Sequence, residues 1–144
     1  MYVIILGAGN IGYSIAEILI NNRHEVGVID SNESKCNYID SKLGSISILG
    51  DGTLPDTLIK AGITRADIFI ATTKKDHENM LACQLAKENF KAKFTICITH
   101  SKEITSLFET LNINYSININ QIITKELITK IKSLGININV SNNE

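Results

Sequence analysis

The sequence predicts an α/β fold: a doubly wound, six-stranded parallel sheet in a three-layer α/β/α arrangement. Two observations carry that expectation. Six short runs rich in Ile, Val, Phe or Thr alternate with helical patterns from end to end, the order that builds strand–helix–strand units with right-handed crossovers. Most of these runs also lack clean period-2 alternation, as central parallel strands buried on both faces do. A length of 144 residues suits one domain and leaves little room for two. Residues 1–135 are expected to form that domain and 136–144 a C-terminal tail.

The elements follow in order. Tyr2–Leu6 is the first strand; no basic residues precede it and no small-residue cleavage site follows, so it does not read as a signal peptide. The helix Asn10–Asn21 places Ile11, Ile15, Ile18 and Leu19 on one stripe. Glu25–Asp30 is a strand, Ser34–Leu43 a helix and Ser45–Leu49 the third strand. Pro55–Ala61 is a short helix, with Pro55 suited to a first turn and Gly62 to a stop. Asp67–Ala71 is the fourth strand, and His77–Phe90 a helix carrying Met80, Leu81 and Leu85. Lys93–Ile98 and Asn114–Ile119 are the last strands. The helices Lys102–Leu111 (Ile104, Leu107, Phe108, Leu111) and Gln121–Leu134 (Ile122, Ile123, Leu127, Ile128, Ile131, Leu134) follow them.

The turn after the first strand reads Gly7-Ala8-Gly9-Asn10-Ile11-Gly12. A lone GxGxxG is a weak signal, but this one follows a strand, opens an amphipathic helix and starts a strand–helix–strand unit. That context makes it the fingerprint of a Rossmann-type, dinucleotide-binding domain. Gly7 permits the tight turn, Gly9 lets backbone approach a pyrophosphate, and Gly12 lets the helix pack closely on the sheet. Amides near Asn10 and Ile11 then face the phosphates from the positive end of the helix.

The second strand ends at Asp30, 18 residues after Gly12, with Ser31 beside it. A carboxylate there accepts hydrogen bonds from ribose hydroxyls and repels a 2′-phosphate, which favours NAD(H) or another adenosine nucleotide over NADP(H). The alternative is that Asp30 caps the helix starting near Ser34. The third strand runs into Gly50-Asp51-Gly52-Thr53, where Asp51 either faces the adenosine or forms a turn leading to an N-capping Thr53. The fourth ends in Thr72-Thr73, which face the glycine turn across the point where strand order reverses. Asp76 is expected to be an N-cap.

Other chemistries find little support. Basic and acidic side chains number 14 and 15 and are dispersed, without the basic patch that nucleic acid or an anionic membrane requires. No apolar run approaches the ~18 residues of a spanning helix. Cys36, Cys83 and Cys97 are far apart and read as buried thiols in a reducing cytosol. His24, His77 and His100 are isolated and read as surface or loop residues, so neither a metal site nor a catalytic residue is expected. The sequence ends ten residues after Leu134, with no second domain to supply a dehydrogenase's substrate site. A binding module is therefore expected rather than an enzyme.

Beyond the generic turn, Gly50-Asp51-Gly52-Thr53, Leu58, Ala61-Gly62-Ile63 and Ala66-Asp67 resemble the "GDxT…L…AGI..AD" stretch of the TrkA-N (KTN, or RCK) domains. Thr72-Thr73, Asp76, Glu78, Asn79 and Leu81-Ala82-Cys83-Gln84-Leu85-Ala86 are similar to the family's "T..DE.N..AC.LA" segment. The resemblance runs to about Leu134. It implies a homodimeric or ring-forming cytoplasmic regulator that binds NAD(H) or ATP/ADP and reports the ligand state to a potassium-translocating membrane subunit. After the fifth strand the family's arginine position holds Ile98 and its proline position Lys102, so an anion contact by that arginine does not carry over. The competing reading is an NAD-dependent oxidoreductase or its detached nucleotide domain. Contact between copies is expected around Ile104, Phe108, Ile123 and Leu127, with burial of that face against the sheet as the alternative.

Overall fold

The computed structural model describes residues 1–138; of the expected tail, 139–144 lie outside the described residues. Six parallel strands form one sheet: β1 (Tyr2–Leu6), β2 (Glu25–Asp30), β3 (Ser47–Leu49), β4 (Ile68–Ala71), β5 (Phe94–Thr99) and β6 (Tyr115–Asn118). Their order is β3-β2-β1-β4-β5-β6, so the chain winds outward from β1, crosses over, and winds outward again from β4. The helices are α1 (Asn10–Asn21), α2 (Glu33–Leu43), α3 (Pro55–Lys60), α4 (Asp76–Glu88), α5 (Lys102–Thr110) and α6 (Ile119–Ser133), with a 3-10 turn at Ile63–Arg65. The expected fold is the observed one.

The central strands explain the missing alternation. Val3 and Ile5 pack with Val26, Val28, Ala16 and Ile39 under α1 and α2. Tyr2, Ile4 and Leu6 pack on the other face with Leu58, Phe69, Ala82, Cys83 and Phe108. Both faces of β1 are covered, so every residue in it is apolar and buried. All three cysteines are free and buried.

Three departures have local causes. The stripe of α1 is rotated from its expected position: Gly12 and Ala16 are buried, while Ile11 and Ile18 are 41% and 61% exposed. The small residues face the sheet because the helix start lies against the glycine turn. The third strand is shorter than expected: it begins at Ser47, and Asp40 at the end of α2 accepts the Ile46 and Ser47 amides on its outer edge. The fifth strand starts and ends one residue later than expected, and Phe94, its first residue, is exposed beyond the reach of the covering helices.

The C-terminal helices divide. In α5, Phe108 is buried and Ile104 packs against the core. The next helix, α6, touches β5 yet buries none of its residues, leaving Ile122, Ile123 and Leu127 more than half exposed. The apolar face expected to mediate contact is thus internal in α5 and open in α6.

Candidate functional site

Strand order reverses between β1 and β4, and at that point the loops after β1, β2, β3 and β4 enclose a crevice of about 410 Å³. That volume lies within the roughly 300–1,000 Å³ of small-ligand sites. Gly7, Gly9, Asp30, Ser31, Asp51, Gly52, Thr53, Thr72 and Thr73 all line it. Of the residues expected at the site, Asn10, Ile11 and Gly12 are not in its wall. Asn10 and Ile11 are exposed in the first turn of α1, where only their amides are suited to a phosphate.

The three glycines meet different surroundings. Gly7 has φ +107°, in the region L side chains rarely adopt, and reverses the chain between β1 and α1. A Cβ on Gly12 would lie 1.9 Å from the Gly7 carbonyl oxygen, so only glycine admits this helix packing. A Cβ on Gly9 would meet nothing within 4 Å. Gly9 is also the N-cap of α1, with no side-chain hydrogen bond capping the helix. The cradle that a Cβ would fill therefore sits at an uncapped helix start, and it fits the diphosphate of a nucleotide.

Asp30 is a clamp as well as a candidate ribose acceptor. One carboxylate oxygen accepts the Ala8 amide at 2.7 Å and the other the Asn32 amide at 2.8 Å. The Lys35 ammonium lies 3.8 Å away. Asp30 does not cap α2; Asn32 does, accepting from the Lys35 amide at 3.1 Å. Each carboxylate oxygen keeps a further lone pair, so fixing the glycine turn is compatible with receiving a ribose hydroxyl.

Asp51 makes the tight turn. One of its oxygens accepts the Thr53 amide and hydroxyl at 2.8 and 2.7 Å. The Thr53 hydroxyl bond, then the amide bond, hold the Asp51 carboxyl below the usual carboxylate range. Thr53 is not the N-cap of α3; that position is Leu54, and the Thr53 hydroxyl turns back to Asp51. A Cβ on Gly52 would sit 2.4 Å from Leu6 Cδ1, so the turn lies directly over the end of β1.

The threonines after β4 are tied into the framework. The Thr72 hydroxyl bonds the carbonyls of Leu6 and Gly7 at 2.9 and 3.2 Å, stapling β4 to the glycine turn. The Thr73 hydroxyl donates to Asn79 Oδ1 at 2.7 Å. Asn79, fully buried, donates in turn to the carbonyls of Thr73 and Ile98 at 2.9 and 3.1 Å.

Asp76 is not the N-cap of α4, which is Lys75. Its buried carboxylate receives the amides of His100 and Ser101 at 2.9 and 2.8 Å, and lies 2.8 Å from the His100 Nδ1. Burial pushes the Asp76 carboxyl up, but the His100 ring and the two amides outweigh it and hold the group below its ordinary value. His100 is therefore not an isolated loop histidine. Asn120, at the start of α6, donates to the His100 carbonyl at 2.8 Å. Hydrogen bonds thus link the crevice wall to the ends of β5 and the start of α6.

Lys35, Lys74, Lys75 and Glu78 also line the crevice, and sequence reasoning did not find them as site residues. The pairs of successive lysines and of charges three apart are ordinary surface patterns, and only the fold directs these side chains to one cleft. A second cavity, about 660 Å³, lies between the His100–Lys102 turn and α6. None of the expected site residues lines it. Cys83 is fully buried, and burial pushes its thiol well up, which makes it inert as a nucleophile. Among the described residues, no group of His, Cys, Asp and Glu is placed to hold a metal ion.

The family model described as the TrkA-N domain matches residues 3–119. The chain is 40% identical over 88 residues to a "Trk system potassium uptake protein TrkA homolog" of Methanothermobacter thermautotrophicus, covering 61% of this chain and 41% of that protein. It is 32% identical over 130 residues to the "Trk system potassium uptake protein TrkA" of Vibrio alginolyticus, covering 90% of this chain and 28% of that one. The chain thus spans less than half the length of either relative. Among solved structures, the TrkA-N domain of inner membrane protein YbaL from Escherichia coli superposes with a TM-score of 0.83 at 15% identity, covering 90% of this chain and 96% of that one. GsuK bound to ADP superposes at 0.80 with 21% identity, covering 92% and 34% of the two chains. The GsuK channel bound to NAD gives 0.76 and 22%, covering 92% and 24%.

Proposed function

The chain belongs to the TrkA-N domain family, and from that premise we propose that residues 1–135 act as a nucleotide-responsive regulatory domain of a potassium uptake system or channel. The ligand is an adenosine nucleotide, NAD(H) or ATP/ADP. Gly7, Gly9 and the first-turn amides of Asn10 and Ile11 take its phosphates, with Gly12 allowing that helix start to lie close. Asp30 and Ser31 take the ribose, Asp51, Gly52 and Thr53 the adenine side, and Thr72 and Thr73 the far side. The observation that carries this reading is the open space at Gly9 facing an uncapped helix start, directly beside the Asp30 carboxylate.

The role is binding, not catalysis. The crevice is walled by backbone, carboxylates, threonines and lysines, and every one of its threonine hydroxyls named above already serves the fold. The relatives are named as potassium uptake proteins and one structural neighbour as a channel bound to NAD. A potassium-translocating membrane protein is accordingly the proposed partner, with this domain on its cytoplasmic side. Among the described residues, no helix is long and apolar enough to cross a membrane. The open apolar face of α6 suits assembly with further copies of the chain, as a dimer or higher ring. Thr73 bonds Asn79, Asn79 bonds the Ile98 carbonyl at the end of β5, and two residues further on His100 is held by Asp76 and by Asn120 of α6, so the end of β5 is a physical link between ligand and that helix.

Calorimetry of the purified chain with NADH, NAD, ADP and ATP tests the site, and nucleotide-dependent potassium flux in vesicles carrying the cognate transporter tests the role. Binding that is lost in Gly9→Val with the fold intact is the expected result. Sustained NADH oxidation with a hydroxy acid, keto acid or aldehyde, lost on mutation of a crevice residue, would reassign the chain to the oxidoreductases.

A further inference from the structure

We propose that the crevice sorts adenosine nucleotides by phosphate charge, preferring a dinucleotide to a triphosphate, and that Glu78 does the sorting through its hold on Lys75. The inference rests on the nucleotide reading of this crevice and names the ligand class within it.

The argument begins with what surrounds Lys75. Its ammonium lies 2.7 Å from Glu78 Oε1, and the Asp51 carboxylate also acts on it electrostatically. Asp51 follows β3 and Glu78 stands in the first turn of α4, so the acids come from different walls of one cleft, with the lysine in the field of both. All three residues line the crevice. Lys35, likewise, lies beside Asp30. The charged residues of the wall are Lys35, Lys74 and Lys75 against Asp30, Asp51 and Glu78, three of each sign. The crevice is neutral as a whole, and two of its three lysines already have a carboxylate beside them.

A neutral wall treats two ligand classes differently. The diphosphate of a dinucleotide is esterified at both ends, carries few charges, and is met by the backbone at Gly9 and the start of α1. Its second ribose presents hydroxyl donors, which a carboxylate such as Glu78 accepts. A triphosphate ends instead in a phosphate with further negative charge and no donor. To recruit Lys75 that phosphate must displace Glu78, and it then faces both Glu78 and Asp51 across the cleft. Like charges brought together this way disfavour the ligand.

The test is calorimetry of the full chain without divalent cations, using NADH, ADP and ATP against the unmodified protein, Glu78→Gln, Glu78→Asp and Lys75→Gln. Circular dichroism verifies that each variant is folded. The unmodified protein is expected to bind NADH more tightly than ATP. Glu78→Gln should tighten ATP about fivefold, the scale of one unit charge a few ångströms away across water, with NADH unchanged or weaker. Glu78→Asp should keep the discrimination, and Lys75→Gln should weaken ATP more than NADH. Tighter binding of ATP than NADH by the unmodified protein overturns the inference, as does a Glu78→Gln variant that moves both ligands by one factor or neither. Binding of no nucleotide at all overturns the reading of the crevice along with it.

Discussion

The two ends of the sheet are built on opposite terms. Around β1, α1 and β2, polar side chains are spent on the backbone: Asp30 holds the Ala8 and Asn32 amides, and Thr72 holds two carbonyls of the glycine turn. The apolar residues of β1 are covered on both faces. Around β6 and α6, Asn118 caps its helix through Gln121, but Ile122, Ile123 and Leu127 face outward. A region with every group committed holds a fixed geometry and suits a ligand that must be recognised. A region with apolar surface to spare gains stability by being covered, and so suits a change of neighbours.

The sharpest way to break that comparison is at Gly12 and Phe108. Gly12→Ala puts a Cβ 1.9 Å from a carbonyl oxygen, and neither partner is a flexible side chain, so we expect a loss of about 3 kcal/mol or more. Phe108→Ala empties a buried site in the one C-terminal helix that joins the core, at about 3–5 kcal/mol. Denaturant midpoints of the two variants measure both. A near-neutral Gly12→Ala would mean that the glycine turn is not rigid. Gly9→Val is the control within the same loop: with open space around the added atoms, it should spare the fold and remove nucleotide binding.

Asp30→Ala should come next. Its carboxylate is buried and receives two amides, and hydrogen bonds to charged groups contribute roughly 1.5–3 kcal/mol. Part of that loss should appear in the denaturant midpoint, because the glycine turn is released, and part in NADH affinity. A variant that loses affinity and keeps its full stability would show that the ribose contact is the whole role of Asp30. NADP(H) binding tighter than NAD(H) by the unmodified protein would contradict the assignment of Asp30 as a ribose acceptor.

These residues also show what is legible in a sequence. The glycine turn and Asp30 are readable because backbone geometry at the start of a parallel sheet admits few residues, and the two central strands, β1 and β4, carry their double burial as unbroken apolar runs. The Asp76–His100 contact is not readable. The residues are 24 positions apart, and an Asp in a first helical turn reads locally as a cap. Lys75 and Glu78 escape for a related reason: a long charged side chain leaves no periodicity to say which cleft it enters. In α6 the apolar spacing announces a helix, but the same spacing serves a helix packed on its own sheet and one covered by another chain.

The link between the two regions gives a smaller effect with a defined pH dependence. Asp76→Asn keeps the shape but removes a charge that receives two amides and a histidine ring, and should cost about 1–3 kcal/mol at neutral pH. The Asp76 carboxyl is held below its ordinary value. A carboxyl with a depressed folded pKa adds stability above its unfolded pKa, and loses it as pH falls through the folded one. Stability of the unmodified protein should therefore decline as pH falls below about 4, and the Asp76→Asn variant should lose part of that acid dependence. Denaturant midpoints from pH 7 to pH 3 decide it; parallel curves for the two proteins would remove Asp76 from the acid response.

The smallest effect on stability should come from α6, and it is the most informative about assembly. Leu127 is 58% exposed and no residue of its helix is buried, so Leu127→Ser in a single chain exchanges one largely solvated side chain for another. Exposed substitutions of this kind stay within about 0.5 kcal/mol. If α6 is covered by a second copy, the same change acts at an interface, where a central apolar side chain truncated to a polar one costs about 1–2 kcal/mol or more. In a symmetric dimer it occurs twice. The two outcomes separate by concentration. Sedimentation of the unmodified protein should show self-association, and the variant should dissociate at protein concentrations where the unmodified protein does not. Its denaturant midpoint should match the unmodified protein's under conditions where both are monomeric. Nucleotide should shift the association constant, because Thr73 is tied through Asn79 to the end of β5 and the next turn is tied through His100 to Asn120 at the start of this helix, and a ligand moves an equilibrium only by its differential affinity for the two arrangements. Self-association that ignores Leu127→Ser places the contact between copies on another face, and association that ignores nucleotide uncouples that contact from the crevice.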